Sequence, residues 1–129
     1  MKKIPRISEA EWQVMKVLWD QSPRTTYEIV AILSKTTNWK RETIRTLTNR
    51  LIQKKAVGYE PQGSRYHYYP LVSESECIRA ETESFAERFE GDSMVPMLAA
   101  FVEHAKLSAT QIERLKQILE GKRPTRKQR

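Results

Sequence analysis

A mainly α-helical fold with one small β-hairpin is what the 129-residue sequence predicts, and three observations predict it. A Ser or Thr followed three positions later by Glu or Gln recurs four times ahead of apolar residues, which is the signature of a helix capping box. Apolar spacing is near 3.6 up to residue 55, alternates between 57 and 70, and turns helical again from 73. Aromatic residues concentrate in the alternating stretch, where a pleated surface favours them.

Ser8 with Glu11 opens the first helix, whose apolar side is Trp12, Met15, Val17 or Leu18, and Trp19, before the polar DQSP stops it. Thr25 with Glu28 opens the second, from about residue 27 to 34, with Ile29, Val30, Ile32 and Leu33. The third spans about 40 to 55, and Asn38 is its candidate cap one turn earlier. Stretches 57–61 and 64–70 read as strands joined by a turn at Gln62 and Gly63, with Pro61 and Pro70 marking an edge hairpin. Three helices followed by a hairpin are the outline of a winged helix-turn-helix, in which the third helix is presented and the hairpin forms the wing.

Ser73 with Glu76 opens a fourth helix carrying Ile78, Phe85 and Phe89, with Gly91 as its stop. Ser93 is read as the cap of a short fifth helix that tolerates Pro96 in its first turn and is lined by Met97, Leu98, Phe101 and Val102. Ser108 with Gln111 opens the last, lined by Leu107, Ile112, Leu115, Ile118 and Leu119. Three short amphipathic helices in about 50 residues hardly make a core of their own. Phe85, Phe89, Met97, Leu98, Phe101, Leu107, Ile112, Leu115 and Leu119 are therefore expected to meet a second copy in a homodimer. Packing back on the chain's own N-terminal half is the alternative. The predicted organisation is a winged-helix DNA-binding domain at 1–71, a helical dimerisation domain at 72–120 and a basic disordered tail at 121–129.

Charge is sorted along the chain. Residues 1–65 hold 13 Lys/Arg against 6 Asp/Glu, residues 66–120 hold 5 against 10, and residues 121–129 hold 5 against none. A basic N-terminal half points to a polyanion partner, since charge added only for solubility would not need to be segregated. The longest apolar run, MVPMLAAFV at 94–102, is far short of the roughly 18 residues a membrane span needs, and the basic start is followed by no apolar stretch. A soluble, cytoplasmic protein without membrane insertion is expected. The lone cysteine, Cys77, excludes a disulfide framework or a cysteine-cluster metal site and reads as a small buried helix residue. With two histidines, His67 and His104, no metal site is expected, and no cofactor. No nucleophile–base arrangement, phosphate loop or paired-carboxylate motif stands out, so an enzyme is not expected.

The third helix carries the chemistry. At 100° per residue, Ile44, Leu47 and Leu51 share the core sector while Arg41, Glu42, Arg45, Thr46 and Asn49 fall opposite, with Thr43 at the margin. Arg bridges guanine O6 and N7, Asn bridges adenine N6 and N7, and a Thr methyl meets the thymine methyl. Arg50, Lys54 and Lys55 lie on the flanks or near the helix end, and Arg65 in the hairpin, where phosphate contacts are expected. Double-stranded DNA is thus the expected partner. The alternative is an adaptor whose winged helix binds an acidic protein.

Together, ISEAEWQVMKVLW at 7–19, the stretch 39–58 with TIRTLTNRLIQKKAVG, RYHYYPLVSESE at 65–76 and FVEHAKLSATQIERLKQILE at 101–120 resemble the penicillinase repressor family, the BlaI/MecI repressors with the copper-responsive CopY repressors as relatives. The resemblance covers almost the whole chain. It implies a homodimeric winged-helix transcriptional repressor that binds palindromic operators with TACA and TGTA elements and dimerises through its C-terminal helices. The family's groove-contacting positions fall on Glu42, Thr43, Arg45, Thr46 and Arg50, with Glu42 where relatives often carry Lys, and Lys40 and Arg41 replacing a Ser-Pro. In the β-lactam systems a membrane sensor protease system leads to cleavage at an Asn-Phe bond, and the aligned pair here is Ala100 and Phe101. The copper branch uses a C-terminal cysteine cluster that this chain lacks. The resemblance therefore implies control of β-lactam resistance genes, with a repressor of the same fold answering another signal as the alternative.

Overall fold

The structure is a computed structural model in which residues 3–122 are described. In chain order it has α1 (Glu9–Asp20), α2 (Thr26–Leu33), α3 (Arg41–Gln53), β1 (Val57–Gln62), β2 (Arg65–Pro70), α4 (Glu74–Arg88), a 3₁₀ turn at Gly91–Ser93, α5 (Met94–His104) and α6 (Ala109–Gly121). The chain divides into two compact units, Met1–Phe85 and Ala86–Arg129. The fold is mainly α with one antiparallel hairpin, a winged helix in the first unit.

All four capping boxes form. Ser8 and Glu11, Thr25 and Glu28, Ser73 and Glu76, and Ser108 and Gln111 each exchange two hydrogen bonds of 2.8–3.2 Å between side chain and amide. The third helix has none. Lys40, not the expected Asn38, is its N-cap, and it makes no side-chain cap bond. Ser93 likewise makes no cap bond, because it belongs to the 3₁₀ turn that runs directly into α5. Residues 123–129 of the expected basic tail lie outside the described residues, and Gly121 closes α6.

The first unit is built on a core in which Val14, Met15 and Leu18 of α1, Ile29 and Leu33 of α2, and Ile44, Leu47 and Leu51 of α3 are buried. Val72 and Cys77, at and beyond the entry to α4, join that core, so the start of α4 is held by it. Trp12 and Trp19 are only half-buried; they meet edge to face at 5.4 Å, and the Trp19 indole donates to the Val72 carbonyl at 2.9 Å. Thr48, on the buried side of α3, gives its hydroxyl to the Ile44 carbonyl at 2.8 Å and so carries no unpaired donor into the core.

The hairpin pairs Val57 with Pro70 through Gln62 with Arg65. Its two-residue turn is therefore Gly63 and Ser64, one position later than expected. Gly63 has φ +65°, a conformation that only glycine adopts without strain, so the loop centres there and Gln62 is drawn into the ladder. Arg24 adds a short third strand position by exchanging backbone bonds with Tyr68 at 3.0 and 2.8 Å, a long-range pairing with no local sequence signal.

The end of α3 is a Schellman motif: the Ala56 amide donates to the Leu51 carbonyl at 2.9 Å, the Lys55 amide to that of Ile52 at 3.0 Å, and Lys55 takes φ 66°. A lysine there carries the steric cost of a left-handed backbone. Lys55→Gly is expected to stabilise the fold by about 0.5 kcal/mol, the strain relief exceeding the added chain entropy. A urea midpoint that falls would show that the entropy term wins.

In the second unit no side chain of a described residue is fully buried within the chain. Val95, Leu98, Phe101 and Val102 of α5 and Ile112, Leu115, Ile118 and Leu119 of α6 are exposed, Phe101 to 68% and Leu119 to 67%. Met97 and Leu107 are half-buried.

Candidate nucleic-acid interface

Burial of Ile44, Leu47 and Leu51 fixes the rotation of α3, and its other face is delivered to solvent as a consequence. Arg41, Glu42, Thr43, Arg45, Thr46, Asn49 and Arg50 are all exposed there, and Arg65 is exposed at the start of β2. Arg41 and Arg45 share a cleft of about 250 Å³ with Arg65, Tyr66 and Tyr68 of β2 and with Thr25, Thr26 and Tyr27 at the start of α2. The backbone exchange between Arg24 and Tyr68 joins two walls of this cleft. On the neighbouring side, Asn49 and Gln53 line a second crevice of about 340 Å³ with Ile52, Tyr59, Tyr66 and Tyr68. Tyr59 meets Tyr66 edge to face at 5.1 Å and Tyr68 at 6.3 Å, which stiffens the wing between the two crevices.

The guanidiniums of Arg41, Arg45, Arg50 and Arg65 have no ion-pair partner among the described residues. Arg41, Arg45 and Arg65 converge on one cleft and Arg50 stands on the opposite flank of α3, and such planar, multi-donor groups are suited to bind phosphates or guanine edges.

Lys54 does not belong to that face. Its ammonium donates to the Arg6 carbonyl at 2.8 Å and to Oε1 of the buried Glu11, so the expected phosphate contact is instead an internal tie between the end of α3 and the start of α1. Glu11 lies 43 residues away in sequence, which is why the angular position of Lys54 does not disclose the partner. Thr26, Tyr27 and Tyr66 line the cleft without any expectation from the sequence. The signal available is their position: two of them directly follow the Thr25 cap, and the third is the neighbour of Arg65.

Glu11 holds the arrangement. Burial alone would raise its carboxyl, but the hydrogen bonds from Lys54 and Ser8 and the Lys54 charge together outweigh that and hold it below the ordinary glutamate value. Glu28 is lowered too, chiefly by the Thr25 amide. Since the folded values lie below the unfolded ones, both contribute stability that is fully present above about pH 4.5 and is lost as the pH falls through the folded-state values. Glu11→Gln is expected to flatten the Tm against pH curve below about pH 5, while an unchanged curve would assign acid sensitivity to other carboxylates.

Among the described residues no cluster of His, Cys, Asp and Glu could hold a metal ion, and no helix is long and apolar enough to cross a membrane. Cys77 is buried.

A sequence model of the penicillinase repressor family matches residues 7–121. The chain is 41% identical over 128 residues to a penicillinase repressor of Bacillus licheniformis, covering 99% of this chain and 100% of that one. It is 31% identical over 120 residues to the methicillin resistance regulatory protein MecI of Staphylococcus aureus strain N315, covering 93% and 98% respectively. Among solved structures it is similar to the DNA-binding domain of the repressor BlaI, with 46% identity and a TM-score of 0.53 over 59% of this chain and 93% of that one. The B. licheniformis BlaI monomeric form in complex with the blaP half-operator matches over the same shares, with 46% identity and a TM-score of 0.52. A mutant form of S. aureus MepR, 20% identical with a TM-score of 0.52 over 89% of this chain and 76% of that one, shows likeness of fold alone. On the match at 7–121 and the identity along its whole length, this chain belongs to the penicillinase repressor family of transcriptional repressors, within its BlaI/MecI group.

Proposed function

We propose that the chain is a homodimeric repressor that binds palindromic operator DNA, with α3 of each copy in the major groove and the wing on the flanking backbone. The observation that carries this is the exposed outward side of α3, with unpaired Arg41 and Arg45 beside Arg65 and unpaired Arg50 on the other flank, in a family whose BlaI member has been solved on a half-operator. Arg45, Thr46 and Asn49 read base edges. Arg41, Arg50 and Arg65 hold phosphates, as do hydroxyls of the cleft such as Tyr27. A half-operator per copy asks for two copies, and the exposed apolar faces of α5 and α6 are the surface that would join them. The expected domain limits at 71 and 72 are kept as the functional division between reading and joining.

The regulated genes proposed are those of β-lactam resistance, on the strength of the relatives' names. Release follows from any event that separates the copies, because a single arm forfeits the effective concentration supplied by the other. A cut between Ala100 and Phe101, inside α5, would do so. Ala100 in place of the expected Asn favours a second reading, in which the same repressor answers a different signal.

Sedimentation of the chain with full and half operators tests the core of this. One dimer on a full palindrome, bound far more tightly than a half-site, is the expected result; one copy bound equally well to each would reject it. Incubation with the activated sensor protease tests the Ala100–Phe101 bond separately, and intact chain would favour the second signal.

A further inference from the structure

On α3, Leu51 marks the middle of the buried side. At about 100° per residue, Glu42 lies about 180° from it, with Asn49 and Gln53 within about 20° and Thr46 within about 40°. Arg45 sits about 60° to one side, Arg41 about 100°, and Arg50 about 80° to the other. The arginines thus border the outward face, and the carboxylate occupies its midline.

Glu42 is exposed and has no hydrogen-bond or ion-pair partner among the described residues. Its i+4 neighbour is Thr46, and although Arg45 stands at i+3, the two side chains form no ion pair. It is the second residue of the helix, and the first residues of a recognition helix are those that meet base edges. A carboxylate on the midline cannot turn aside to a phosphate, which it would repel. The groups in the major groove that satisfy it are exocyclic amines, and cytosine N4 is the one that Glu accepts from.

Resting on the reading of α3 as an operator-binding helix, we propose that Glu42 is a specificity-determining residue, demanding a cytosine at one symmetry-related pair of operator positions. The flanking arginines compensate the charge, so the carboxylate subtracts affinity from every sequence except those that offer it the amine. A purely local role also exists for an acid in the first turn of a helix without a side-chain cap, namely favourable interaction with the helix dipole. That role touches stability and leaves base preference alone, so the two are separable.

The test is parallel selection from a random DNA pool with the full chain, Glu42→Gln and Glu42→Ala, each checked by thermal melting. The wild-type chain is expected to enrich cytosine at one symmetric pair of positions. Replacing that cytosine by thymine should weaken its binding about 5- to 150-fold. Glu42→Gln should move the preference there toward adenine, Glu42→Ala should abolish it, and preferences at the other positions should stay. If both variants select the wild-type sequence, or bind specific and random DNA more tightly by one common factor, the specificity role is overturned while operator reading survives. If the wild-type chain enriches nothing, the operator reading itself fails, and this inference with it.

Discussion

Replacing Leu98 and Phe101 together by Asp is expected to convert the proposed dimer to a monomer and to weaken binding to a full operator by about 10²- to 10⁴-fold, while leaving half-site binding unchanged. Both side chains are half or more exposed on α5, so charging them disturbs little that the single chain has packed. In a dimer interface the same two carboxylates would have to be buried opposite their copies, and unpaired buried charge is strongly unfavourable. The loss of operator affinity then comes without any change at α3, since the second arm's contribution is its effective concentration. Sedimentation and anisotropy on full and half operators read the two effects apart. A variant that remains dimeric would remove α5 from the interface and leave α6 as the joining surface.

Arg45→Ala is expected to cost about 1–3 kcal/mol on operator DNA and to relax preference at one base pair. Ile44 and Leu47, its neighbours on either side in the core, hold the helix so that Arg45 projects between the midline and the wing. There it lines the cleft with Arg41, Arg65 and Tyr66, and its guanidinium has no internal partner among the described residues. A fork of donors so placed can bridge guanine O6 and N7 with a preset planar geometry that the flexible, point-charge Lys lacks, so Arg45→Lys should recover affinity on random DNA more than on operator. Equal loss on both DNAs for Arg45→Ala would show Arg45 to be a phosphate contact only.

The features written in local sequence are legible because their physics is local. The four capping boxes bind residues three apart, and the core sector of α3 follows from period alone. The hairpin turn sits one residue beyond its expected place, since alternation is satisfied by either register and only the positive φ at Gly63 decides between them. What escapes the sequence depends on distant partners. Lys54 looks like its exposed neighbours until Glu11, 43 residues earlier, is brought beneath it. The same holds for Thr26 and Tyr27, which join the cleft because the Arg24 backbone pairs with Tyr68 of the wing. Angular sorting shows which way a helix looks; it does not show which other elements arrive there.

An adaptor that met an acidic protein would use the same arginines, but it would bind DNA without nucleotide preference and would tolerate exchange of Thr46 and Asn49. Sequence preference and charge therefore have to be measured together. The most direct measurement is selection of bound sequences from a random pool by the full chain, followed by a salt titration on the enriched sequence. With the three arginines proposed to hold phosphates, Arg41, Arg50 and Arg65, in each copy of the proposed dimer there would be at least six contacts, and the account predicts a palindrome whose log K falls with log salt at a slope of about −5 or steeper. No enriched sequence, or an enriched single site bound with a slope near zero, would contradict it.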